Sequence, residues 1–213
     1  MTLPNAHKGV QKLFIAELLQ IIGVVLVVFA YATLRVAVGI GSQTQATAAA
    51  GGLAVGGLIT LIGGAILPIV AIILTLVGLN QASKDEPDYM RKAFICAVIA
   101  LILSALEGVG MAIGGGRPGF LSTLASLAEM VMLIYAIMGV SEVCQNISRQ
   151  DVADMGPKIL TIVAIAFVIA IIAGIIGHFI GGVAAVVSLI MMLVAYIVYI
   201  VFLGRATGAL GRG

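Results

Sequence analysis

Runs of about 20 consecutive apolar residues recur along this chain, the length an α-helix needs to cross the roughly 30 Å hydrocarbon core of a bilayer. Because no water is available there to satisfy free backbone groups, such runs fold as helices. Of the 213 residues 62% are hydrophobic and 9% charged, against about 25% charged in an ordinary soluble domain. The fold class expected is all-α, an integral membrane bundle of six transmembrane helices in three hairpins. Residues 1–213 then form a single polytopic transmembrane domain with the lipid bilayer as its principal partner.

Apolar runs and breakers place the helices at about residues 5–38, 53–79, 93–113, 120–142, 159–176 and 183–203. The first is about 50 Å long at 1.5 Å per residue, so its start, with Lys8 and Lys12, should lie in the interface. Lys8 and Lys12 before an apolar run ending Ala30-Tyr31-Ala32 imitate a signal peptide. That run exceeds the usual length of about 7 to 15 residues and contains Glu17 and Gln20, so it is read as a retained first helix. Glu17 is expected to be wet, on one face with Gln20. The charged stretches 81–92 and 145–158 are expected as water-exposed loops, and the tail from Gly204 as frayed.

With six spans, one side of the membrane receives nine of the eleven Lys and Arg residues and the other only Arg35 and Arg117. The positive-inside rule then puts both termini on the cytoplasmic side of the plasma membrane. On that side Cys96 and Cys144 are expected as free thiols. The Lys-to-Gly intervals Lys12–Gly78, Lys92–Gly139 and Lys158–Gly204 suggest a weak internal repeat of one hairpin.

Glycine dominates the second helix. Gly52 and Gly56 form a GxxxG pair, and Gly56 and Gly63, two turns apart, with Gly64 beside them, are expected to let a neighbouring backbone approach closely. Pro68 is expected to kink the helix.

Ionisable residues inside the spans are few, and each costs about 2.5 to 3.5 kcal/mol at a helix centre. Glu107 shares a face with Ser104, and Glu129 with Ser122 and Ser126, the two acids falling at similar depth in one hairpin. Lipid is expected to see neither stripe. Arg35, Arg117 and His178 are the candidate counter-charges on that side.

No HExxH, GxSxG, P-loop or CxxC motif occurs in the sequence. It predicts no enzyme, no metal and no cofactor, and the lack of a basic cluster beyond Arg91-Lys92 argues against nucleic acid as a partner. Two functions fit what remains. The favoured one is a non-catalytic subunit or scaffold that binds other membrane proteins or forms a homo-oligomer. The alternative is a small permease or channel subunit using Glu107 and Glu129.

Overall fold

The computed structural model describes residues 3–41, 47–114, 120–180 and 182–211. At 37–41, 47–54, 111–114, 122, 170–171, 173–180, 182–189 and 192 it describes the helical backbone alone. The elements are α1 (Pro4–Gly41), α2 (Thr47–Ala82), α3 (Pro87–Gly114), α4 (Phe120–Asn146), the short α5 (Gln150–Ala153), α6 (Met155–Ile180) and α7 (Gly182–Leu210). Among the described residues six helices are long and apolar enough to cross a membrane, as the apolar runs require. Arg117, the surroundings of Gly52, the side chains of Ser122 and His178, and residue 181 between the last two helices lie outside what is described.

The helices overrun the expected boundaries where the sequence turns polar. The loop expected at 81–92 shrinks to a turn closed by Glu86 N–H donating to Ala82 O at 3.0 Å. The loop at 145–158 is largely α5 and the first turn of α6. The tail expected to fray is helical through Leu210, with Ala206, Ala209 and Leu210 buried. Charge marks where the hydrocarbon stops, and a helix crossing that boundary has no reason to end there. Prolines stay compatible with these ends: Pro4, Pro87 and Pro157 stand in first turns, where the missing N–H has no intrahelical partner to lose. Pro68 lies within α2, which continues on both sides of it.

Contacts divide the chain into two compact units, one of Met1–Phe14 with Leu76–Gly213 and the other of Ile15–Thr75. In the first, the start of α1, the end of α2, the start of α3, the ends of α4 and α7 and the start of α6 share one core at the end that carries both termini. Leu13, Leu79, Met90, Ile137, Val140, Phe202 and Leu203 are buried there among the small residues Ala6, Ala82, Ala93 and Ala206. A Cβ on Gly9 would lie 2.6 Å from the Gly78 carbonyl oxygen, and one on Gly78 would lie 2.8 Å from the Gly9 carbonyl oxygen. The two backbones therefore cross in direct contact.

The second unit pairs the rest of α1 with the first part of α2. The Pro68 ring covers Gly23, whose Cβ would lie 2.9 Å from Pro68 Cδ, while a Cβ on Gly64 would meet Val27 Cγ2 at 2.9 Å and Val27 N at 3.1 Å. Gly57 packs in the same way on Leu34 and Thr33. At Gly56 and Gly63, by contrast, a Cβ would meet nothing within 4 Å. The close approach expected of Gly56 and Gly63 is thus made by Gly57 and Gly64, one residue on. Both pairs are spaced by seven, so spacing alone does not distinguish two ridges that lie about 100° apart around the helix. Glu17, expected to be wet, is only 8% exposed. It continues the buried positions Ala6, Val10, Leu13 and Ala16 of α1, while Gln20 turns outward.

Elsewhere in these helices the outward positions are apolar, as at Ile59 (66% exposed) and Val28 (63% exposed), which suits contact with lipid.

Helix α4 ends in a Schellman motif: Ser148 N–H donates to Gln145 O and Arg149 N–H to Cys144 O, each at 2.9 Å. The motif needs a left-handed residue, and Ser148 has φ 60°, a conformation that suits glycine better. Ser148→Gly should raise stability by about 0.5 to 1 kcal/mol, read as a higher Tm in detergent. Gly64→Leu should lower stability by about 1 to 3 kcal/mol through overpacking against the α1 backbone. Gly63→Leu should leave the Tm of the isolated chain nearly unchanged; equal losses at both positions would mean that α2 is rotated from the orientation described.

Candidate functional site

Two polar regions stand out from the apolar helices. The first is the stripe at the far half of α3 and α4. Glu107 of α3 is half-buried, whereas Ser104 on α3 and Ser126 and Glu129 on α4 are exposed. The α4 stripe was expected to be hidden from lipid, but Ser126 and Glu129 are exposed. At residues 136–144 the buried face of α4 is formed by Ala136, Ile137, Val140, Val143 and Cys144; Glu129 lies two turns before Ala136 on that same face, which is left uncovered at this end of the helix. In the second unit Arg35 is exposed, and its guanidinium interacts with Tyr31 one turn back on α1. Nε donates to the phenolic oxygen at 2.9 Å, and the guanidinium carbon lies 5.0 Å from the ring centroid.

The second region sits at the terminus-bearing end of the first unit and was not singled out from the sequence. It starts from two adjacent acids in the turn between α2 and α3. Asp85 accepts hydrogen bonds from Asn5 Nδ2 at 2.9 Å and from the Ala6 N–H at 2.8 Å, which ties the first turn of α1 to this turn. Glu86, 4% exposed, accepts from the backbone N–H groups of Asp88 (3.0 Å), Tyr89 (3.1 Å) and Met90 (2.8 Å). It therefore caps α3, with Pro87 in the first helical position. Gly139 of α4 makes room for this cap, since a Cβ there would be 3.1 Å from Glu86 Oε2.

Capping sets the direction of α3 and with it Tyr89. The Tyr89 and Tyr135 rings are 6.4 Å apart and tilted by 34°, and Lys92 Nζ lies 5.6 and 5.8 Å from their centroids. Across from Tyr89, the hydroxyl of Ser141 donates to Ala153 O at 2.6 Å. Gly156 packs so closely on Ser141 that a Cβ would sit 2.6 Å from Oγ. These contacts bring the starts of α3 and α6 against the end of α4 and leave a cleft of about 240 Å³ between them, lined by Tyr89, Met138, Ser141, Glu142, Gln145 and Leu160 among others. Met138, Glu142 and Gln145 follow one another at helical spacing along the α4 side of the cleft. Both cysteines are free thiols, Cys144 buried and Cys96 half-buried.

The fold and these polar regions define a multi-pass α-helical membrane protein. No protein-family model, curated protein or solved structure matches the chain.

Glu86→Ala should remove three acceptor contacts from the first turn of α3 and lower stability by about 1 to 2 kcal/mol. Glu86→Gln, which keeps an acceptor oxygen, should lose less. Chemical denaturation followed by circular dichroism measures both, and an unchanged midpoint for the alanine variant would show that the cap contributes nothing.

Proposed function

We propose that the protein is a non-catalytic, multi-spanning membrane subunit or scaffold that works by binding other membrane proteins or a second copy of itself. The observation that carries this reading is the exposed Ser126–Glu129 stripe in the half of α4 nearer Phe120, on the face that is buried farther along the helix. A carboxylate facing hydrocarbon costs about 2.5 to 3.5 kcal/mol at a helix centre, and serine and carboxylate groups on a span normally face protein partners. A neighbour packed on α4 relieves that cost by supplying donors. The open positions Gly56 and Gly63 on α2 add a second face where a helix can approach closely, between the exposed side chains of Ile59 and Ile66.

In this reading the protein sits in the plasma membrane, and cation placement supports an orientation with both termini cytoplasmic. The first unit carries Lys8, Lys84, Arg91, Lys92, Lys158 and Arg205 exposed at its terminus-bearing end.

Self-association is the measurable form of this reading. With Cys96 and Cys144 replaced, a cysteine at Ser126 should cross-link between copies in native membranes. Glu129→Leu should weaken association at least tenfold while leaving the Tm of the monomer unchanged or higher. A chain that stays monomeric in bilayers whichever residue stands at 129 would overturn self-association. Solute or proton flux in proteoliposomes that depends on pH and disappears in Glu107→Gln would replace the subunit reading with a permease.

A further inference from the structure

The cleft at the terminus-bearing end lies well away along α4 from the Ser126–Glu129 stripe, and its chemistry is separate from association. Its walls are apolar where Ile137, Met138, Pro157 and Leu160 line it, and its polar groups are Glu142, Gln145, Ser141 and Tyr89. Ser141 has committed its proton to Ala153 O, so towards a ligand it can only accept. Glu142, half-buried, contributes a carboxylate. Among the described residues no lysine, arginine or histidine lines the cleft, and Glu86 and Asp88 add negative charge near Glu142. Lys92, one turn along α3 from Tyr89, lies over the Tyr89 and Tyr135 rings. The cleft therefore presents acceptors and a carboxylate above an apolar wall.

That combination excludes an anion and disfavours a neutral apolar guest. A bare metal ion fits poorly as well, since among the described residues no three His, Cys, Asp or Glu side chains group as a metal shell. What matches is a donor-rich positive head on a short hydrocarbon body. The volume of about 240 Å³ falls below the usual range of ligand sites, which starts at about 300 Å³, so the body holds only a few carbons. Gln145 and Pro157 are exposed at the rim, which opens the cleft to water at the membrane surface.

We propose that this cleft binds a small alkylammonium ion. Its ammonium group donates to the Glu142 carboxylate and to the oxygens of Gln145 and Ser141, and its alkyl chain lies against Met138, Pro157 and Leu160. The attraction between ammonium and carboxylate gains from the partial burial of Glu142, because fewer waters screen it.

The test uses the full chain in lipid nanodiscs with methyl-labelled methionine, the Met138 resonance being assigned by its loss in Met138→Leu. Propylammonium chloride should shift that resonance saturably, while 1-propanol and sodium chloride at the same ionic strength should not. Glu142→Gln should weaken propylammonium binding at least tenfold. Leu160→Trp, which fills the cleft and keeps the carboxylate, should abolish the shift, and it serves alone if Glu142→Gln does not fold. An unsaturable or absent shift, an equal response to 1-propanol or to sodium chloride, or undiminished binding in a folded Glu142→Gln or Leu160→Trp protein would each overturn the proposal.

Discussion

At Gly9 and Gly78 the backbones of α1 and α2 pass with no side chain between them, and the terminus-bearing end of the molecule is arranged around that crossing. Within a membrane the hydrophobic effect gives helices little reason to prefer each other over lipid, so association rests on close van der Waals packing and on hydrogen bonds. The crossing provides the packing. It also brings the first turn of α1 within reach of Asp85, which accepts from Asn5 and Ala6. The next residue, Glu86, caps α3 and so fixes where Tyr89 stands. A glycine contact, two acids and the aromatic wall of the cleft thus form one chain of dependence.

Those two acids show how charge is used at the membrane boundary. A stretch with Lys84, Asp85, Glu86, Asp88, Arg91 and Lys92 reads as a solvated loop, yet Asp85 and Glu86 face inward against orphan N–H groups at two helix starts. The positive end of a helix dipole favours a carboxylate there, and the cations turn outward. Glu142, near the end of α4, has no helix start to cap and lines the cleft instead.

Apolar run lengths made the number and order of the spans legible, because the thickness of a bilayer is a fixed ruler. Helix ends were less legible, since polarity reports the edge of the hydrocarbon and says little about where hydrogen bonding stops. Pro87 directly after an acid is a helix-start signal that could have placed the beginning of α3 correctly. Glycine spacing showed that α2 meets a neighbour closely but not by which ridge, because Gly56/Gly63 and Gly57/Gly64 have the same period. The cleft was hidden for a different reason: its residues come from three helices, and none is unusual where it stands in the sequence. Glu107 and Glu129 were visible as rare acids in apolar runs, whereas the direction each faces depends on how the helix is rotated.

The meeting of α1 with α7 bears on how the protein is made. Gly211 packs on His7, and Gly204 on Phe14, so α1 gains these contacts only after α7 has been synthesised. Until then this side of α1 lacks that cover. A nascent chain stalled before α7 therefore displays an unfinished seam, a surface by which membrane quality control can recognise it.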